Sequence, residues 1–198
     1  MLSERRKQFK GLESVVGNFF SKFLTANQCS YLAIFIALLF FKFMIIGNIK
    51  IALILLLVAS FLDFVDGAVA RQTNTASNKG AYLDTILDRY VEAIVLLSFL
   101  FLPLPQVLFP SYIWILIALL GSFMTTYAKA AGKEKDILKT ELKKGLVGRG
   151  ERMILESLAL FLAIFNMDWT LSCIIVLAVL SNITAFQRIH IVLNNQNV

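Results

Sequence analysis

A chain of 198 residues that is 58% hydrophobic, 16% charged and of mean hydropathy +0.75 lies outside the usual range of soluble globular proteins. Its two cysteines, Cys29 and Cys173, lack metal-ligand spacing and read as structural, and a single His190 argues against histidine as the main base or metal ligand. The net charge of +6 follows from cations flanking apolar segments, so it reads as membrane topology and not as nucleic-acid binding.

Residues 3–24 carry Phe9, Leu12, Val15, Val16, Phe19, Phe20 and Phe23 at near-helical spacing among basic residues. That pattern predicts an amphipathic helix lying along the cytoplasmic interface. The stretch is too charged, and its first long apolar run too late, for a cleaved secretory signal. Residues 1–29 are therefore assigned to a cytoplasmic juxtamembrane segment and 30–198 to one membrane domain. Windows long and apolar enough to span a bilayer follow at about 30–47, 50–71, 81–102, 111–131, 150–166 and 169–190. The expected fold is all-α, six transmembrane helices preceded by the interfacial one. They are joined by "GNIK", "QTNTASNK", "PLPQVLFP", "KEKDILKTELKKGLVGRGE" and "NMD".

The cations set the orientation. Arg5, Arg6, Lys7, Lys10 and Lys22 precede the first span; Arg71, Lys79 and Arg89 flank the second loop. Eight more run from Lys129 to Arg152, and Arg188 lies near the end, so seventeen of nineteen fall on one side, leaving Lys42 and Lys50. By the positive-inside rule both termini are cytoplasmic, in a multi-pass protein of the cell membrane.

The stretch "SFLDFVDGAVAR", residues 60–71, puts Asp63 and Asp66 three apart near the end of the second span. Asp84 and Asp88 stand four apart near the start of the third. Each pair shares a helix face. At 1.5 Å per residue, Asp66 and Asp63 lie roughly 7 and 12 Å inside the end of one helix, and Asp84 and Asp88 roughly 6 and 12 Å inside the end of the next. The matching depths predict four carboxylates in a pocket open to the cytoplasm. Like charges so placed require protons or cations, and an all-oxygen donor set selects Mg²⁺, Mn²⁺ or Ca²⁺. Two bridged ions fit four carboxylates, and such pairs act in displacement at phosphorus. Gly67, Ala70 and Gly80 leave room for a ligand against the backbone, and Arg71 suits a phosphate or diphosphate. The plainer alternatives are close helix packing for the small residues and interfacial anchoring for Arg71.

Asp63 to Asp88 spell DxxDGxxAR, eight residues, then GxxxDxxxD, which resembles the signature of the CDP-alcohol phosphatidyltransferases at Asp63, Asp66, Gly67, Ala70, Arg71, Gly80, Asp84 and Asp88. The resemblance implies transfer of a phosphatidyl group from a CDP-linked lipid donor to an alcohol with release of CMP, two Mg²⁺ or Mn²⁺ ions per site, and a homodimer in membrane lipid. Carried onto this chain, it makes Asp63, Asp66 and Asp84 metal ligands and Asp88 both a ligand and the catalytic base. Gly67, Arg71, Ser77, Gly80 and Asn27 would contact the donor; the segment "LTANQCS" keeps Asn27 but has Ala26 where many members have proline. "LDTILDR", "TTYAKA", "GLVGRGERMIL" and "FQRI" resemble stretches of the inositol phosphate-using branch, phosphatidylinositol phosphate and archaetidylinositol phosphate synthases. On that resemblance Lys129, Arg149, Arg152 and Arg188 would bind the acceptor phosphate, whose dianion needs charge-assisted donors. Positive-inside topology is the plainer reading of these cations, and Glu151 and Glu156 are potential partners for the arginines. Glycerol 3-phosphate, serine and inositol stand as alternative acceptors. More distant readings are an intramembrane prenyltransferase, which would release diphosphate, and a cation transporter, for which the outer halves of the spans lack a polar track.

Overall fold

The structure is a computed structural model, and it describes residues 10–73, 77–138, 142 and 144–194. Arg5, Arg6, Lys7 and Phe9 of the amphipathic stretch, and Lys139 and Lys143 of the charged loop, lie outside the described residues. Seven α-helices account for nearly all the rest: α1 (Lys10–Phe20), α2 (Ala26–Ile45), α3 (Ile49–Gln72), α4 (Asn78–Ser98), α5 (Ser111–Glu134), α6 (Arg149–Leu162) and α7 (Met167–Asn194). A 3₁₀ turn, Phe99–Phe101, extends α4. Every predicted window holds a helix, and no strand occurs among the described residues.

Four helices, α2, α3, α5 and α7, are long and apolar enough to cross a membrane. The other two windows differ for physical reasons. α4 carries Lys79, Asp84, Asp88, Arg89 and Glu92 among its 21 residues. α6 has 14 residues, hence a length of about 21 Å against a hydrocarbon core of about 30 Å.

The chain divides into two compact units. The first is built from α1 to α4. There α2 packs against both α3 and α4, and α1 packs against α3. The contact faces are rich in small residues: Cys29, Ser30, Ala33 and Ala37 on α2, Ala52, Ala59 and Ala68 on α3. In hydrocarbon there is no gain from removing apolar side chains from water, so close backbone approach supplies the attraction instead. The α1 contact is close, since a Cβ at Gly17 would lie 2.7 Å from the Ala68 carbonyl oxygen. Val16 and Phe20 of α1 pack on a buried cluster of Cys29, Val65 and Val69. Val15, Phe19 and Phe23 face outward and remain exposed.

Local signals fix the helix ends. Thr25 caps α2, its hydroxyl accepting from the Gln28 backbone N–H while the Gln28 side chain accepts from the Thr25 N–H. This capping box starts α2 four residues before the predicted window and puts Asn27 in its first turn. Gly47, at φ +77°, makes the turn into α3, whose first turn is capped by Asn48.

In the second unit α7 packs against both α5 and α6. α5 buries the stripe Gly121, Ser122, Thr125, Ala128 and Gly132. At Gly121 the Asn182 side chain comes close, its Nδ2 donating to the Ile117 carbonyl at 2.9 Å. Cys29 and Cys173 are both free and buried, in keeping with structural roles.

Candidate active site

The carboxylates lie in the first unit. Asp63 and Asp66 leave α3 one turn apart, and Asp84 projects from α4 just beyond its N-terminal turn. One oxygen from each of the three lies within 4.8 Å of the others. Asp66 is buried, while Asp63 and Asp84 are half-buried. Asp88 stands outside this group of three, one turn and about 6 Å further along α4. The expected quartet is thus a triad with a fourth carboxylate beyond it.

α2 completes the surround. The Ser30 hydroxyl donates to Asp66 Oδ2 at 3.1 Å and fixes the buried carboxylate from the opposite helix. Ser30 ends the segment "LTANQCS", one turn after Ala26 on the α2 face that meets α3, and a serine at that spacing was the available signal.

Small residues lie where the expected donor contacts cluster. The Arg71 guanidinium folds back over Gly67, so that a Cβ there would be 3.1 Å from Nη1. Arg71 Nε also pairs with the Glu13 carboxylate of α1 at 3.4 Å. Ser77 caps α4, its hydroxyl accepting from the Gly80 N–H at 3.0 Å. A Cβ at Gly80 would meet Ser77 Oγ at 3.2 Å and Asn27 Oδ1 at 3.5 Å, so Asn27, Ser77 and Gly80 form one group. Glu13 was missed from sequence, where α1 was read for its apolar face alone. Arg89, the last residue of "LDTILDR", pairs with the buried Glu92 at 2.7 Å.

The donor set suits a hard divalent cation. Three carboxylates with oxygens this close, one of them buried, make a donor set that a hard cation would bridge, and oxygen-only ligands match Mg²⁺ or Mn²⁺.

The expected acceptor cations lie in the second unit. Arg152 is 1% exposed, and its Nη1 donates to the Thr125 hydroxyl oxygen at 3.1 Å. Arg188 donates from Nη1 to the Thr125 carbonyl at 2.7 Å and from Nε to the Lys144 carbonyl at 3.1 Å. Thr125 therefore brings Arg152 and Arg188 together. Lys129 follows Thr125 by one turn on the same face of α5, and Arg149 opens α6 one turn before Arg152. Glu151 accepts from the Gly148 N–H at 3.0 Å and so closes the start of α6, while Glu156 is fully buried. Thr125 was missed from sequence; the small-residue stripe of α5 was the signal that could have found it.

Residues 23–186 match the sequence profile of the CDP-alcohol phosphatidyltransferases. The archaetidylinositol phosphate synthase of Pyrococcus horikoshii is 31% identical over 193 residues, 96% of this chain and 95% of that protein. The enzyme of the same name from Aeropyrum pernix is 34% identical over 69% of this chain and 66% of its own. Among solved structures, the phosphatidylinositol phosphate synthase of Mycobacterium tuberculosis in complex with manganese and citrate has a TM-score of 0.78 at 23% identity, over 92% of this chain and 89% of that one. The two share a fold.

Proposed function

The chain belongs to the CDP-alcohol phosphatidyltransferase family, and from that premise we propose that it transfers a phosphatidyl or archaetidyl group from a CDP-linked lipid to the hydroxyl of an inositol phosphate, releasing CMP. The observation that carries the reading is the triad of Asp63, Asp66 and Asp84, generated by the family's own motif and closed to within 4.8 Å. The near full-length likeness to an archaetidylinositol phosphate synthase supports inositol phosphate as acceptor.

Asp63, Asp66 and Asp84 would hold the divalent metal, and Asp88 beside them would complete a two-ion Mg²⁺ or Mn²⁺ site. When bound, the ions neutralise the diphosphate and stabilise charge on the entering and leaving oxygens. Gly67 and Gly80 let the donor approach the backbone, while Arg71, Ser77 and Asn27 contact its nucleotide and diphosphate. Lys129, Arg149, Arg152 and Arg188 serve the acceptor phosphate, Arg152 from its buried position by supporting the others. Asp88 takes the proton of the acceptor hydroxyl. The new bond joins that oxygen to the lipid-linked β-phosphorus, and the electron pair of the broken bond leaves with CMP. Orientation of the two substrates supplies much of the rate.

The proposal extends to the membrane: six spans including α4 and α6, α1 at the interface with Val15, Phe19 and Phe23 toward lipid, and both termini cytoplasmic at the cell membrane. Residues 1–29 form the juxtamembrane segment of a single catalytic domain, 30–198, acting as a homodimer. The test is CMP release by purified enzyme given CDP-diacylglycerol or CDP-archaeol with a panel of inositol phosphate, glycerol 3-phosphate, serine and inositol. Turnover with inositol phosphate is expected. Turnover with glycerol 3-phosphate alone would reject the acceptor while leaving the reaction class in place.

A further inference from the structure

Residues 93–128 contain no Asp, Glu, Lys, Arg or His, and the loop that leads into α5 lies within that run. Between Ser98 and Ser111 the only polar side chain is Gln106, and all three prolines of the chain, Pro103, Pro105 and Pro110, stand there. Turns in water draw on Gly, Asn, Asp and Ser, and this segment has none of them. The loop nonetheless has a definite shape. The Phe109 N–H donates to the Val107 carbonyl at 2.6 Å, closing a three-residue turn with Leu108 at its centre. Leu108 has φ +60°, a left-handed conformation that Gly or Asn takes at less cost. The Trp114 indole N–H of α5 donates to the same carbonyl at 3.0 Å, and the Trp114 and Phe109 ring centroids are 5.9 Å apart. The product is an apolar tip: Val107 and Phe109 are exposed, and Leu108, at 87%, is the most exposed large hydrophobic side chain among the described residues.

We propose that this tip is a lipid anchor, seated in the membrane interface at the end of α5 remote from Lys129 and Lys133. The inference rests on the reading of α5 as a span. Residues 111–128 are the charge-free part of that helix and measure about 27 Å, short of a hydrocarbon core of about 30 Å. With Lys129 at one boundary, the loop therefore sits at the other. Tyr112 and Trp114 stand at the same level, where aromatic side chains favour the headgroup boundary. The prolines carry no N–H and the Phe109 N–H is satisfied inside the turn, which suits a backbone with little water around it. A protrusion of three side chains offers far less than the roughly 800 Å² per partner of a stable protein interface, so its occupant is lipid and not a second chain. With this tip held on one side and the cations on the other, α5 is fixed in height across the bilayer.

The experiment places an environment-sensitive fluorophore on single introduced cysteines, Leu108→Cys, Leu120→Cys and Lys135→Cys, in the full chain, whose own Cys29 and Cys173 are buried. The labelled protein is reconstituted into phosphatidylcholine vesicles. Quenching is read with iodide present on both sides of the bilayer, and with phospholipids carrying a nitroxide either near the headgroup or near the end of the acyl chain. Lys135→Cys, on an exposed side chain, supplies the value for water. The Leu108→Cys probe is expected to be quenched by iodide about fivefold less than that reference, and more by the shallow nitroxide than by the deep one, as seating at the headgroup boundary implies. Leu120→Cys, in mid-helix, is expected to show the opposite nitroxide preference. Iodide quenching at Leu108→Cys equal to that at Lys135→Cys overturns the anchor, and protection at Leu120→Cys in the same experiment leaves α5 as a span. Protection of Leu108→Cys from iodide without quenching by either nitroxide means that protein covers the tip, which overturns lipid as its occupant. Free access of iodide to Leu120→Cys removes the span and the inference together.

Discussion

Glu13 of α1 pairs with Arg71 of α3, its Oε2 lying 3.4 Å from Nε, so the first helix touches a residue proposed to contact the donor. Glu13 holds one edge of the guanidinium while Gly67 lies beneath its Nη atoms. Half-exposed pairs of this kind contribute up to about 1 kcal/mol. Glu13→Gln is therefore expected to raise the donor KM about threefold, leaving the acceptor KM alone. Arg71→Lys, which loses the planar fork, should raise it by more. Steady-state CMP release with each substrate varied separately checks both; a change confined to the acceptor KM would reject the link.

The two glycines of α1 differ in what surrounds them. At Gly17 a Cβ would press on the Ala68 backbone oxygen at 2.7 Å, whereas at Gly11 nothing lies within 4 Å. Gly17→Ala should force α1 off α3 and destabilise the protein by about 1–3 kcal/mol, as overpacking does. Gly11→Ala should instead stabilise by about 0.5–1 kcal/mol through helix propensity. Thermal unfolding in a single detergent compares the two, and equal melting temperatures would contradict the docked position of α1.

Ser30→Ala removes the hydroxyl that donates to Asp66 Oδ2 and leaves the three carboxylates in place. Partners that orient a ligating carboxylate typically matter about 10–100-fold in metal affinity. Titration of Mn²⁺ followed by thermal shift, on protein stripped with EDTA, is expected to show a weaker midpoint for Ser30→Ala and no saturable shift for Asp63→Asn. Identical midpoints for wild type and Ser30→Ala would mean that Asp66 needs no such support.

Asp88 lies outside the triad, so its removal should separate chemistry from binding. Asp88→Asn is expected to lower turnover by about 10²–10⁴-fold, the usual effect of a general base, while donor binding largely survives. Asp63→Asn should lose metal and donor together. Equilibrium binding of a CDP-lipid beside CMP release distinguishes them, and normal turnover by Asp88→Asn would reject it as the base.

The aspartates were legible because an acid within an apolar run demands compensation, and because spacings of three and four place such acids on one face without any tertiary knowledge. Asn27, Ser77 and Gly80 were each nameable from the motif and its flanks. Their meeting was not, because it depends on the Thr25–Gln28 capping box extending α2 backwards by a turn. Glu13 and Thr125 were invisible for a related reason. Each matters through a neighbour on another helix, and hydropathy along one helix carries no record of what packs across from it. The uniform reading of six spans came from counting apolar residues in windows. It passed over the charges of α4 and the short length of α6, which separate these two from the helices that qualify on their own.

Those charges bear on how the protein is made. With Lys79, Asp84, Asp88, Arg89 and Glu92 along it, α4 is a poor candidate for independent partitioning from the translocon, even with Arg89 and Glu92 neutralising each other. Its proposed entry into the bilayer has to wait for α2, the earlier-synthesised helix against which it packs. On the proposal that α4 spans, the acids proposed for the site would impose an order on biogenesis: the apolar helices α2 and α3 would be laid down first, and the polar helix would be received by protein and not by lipid.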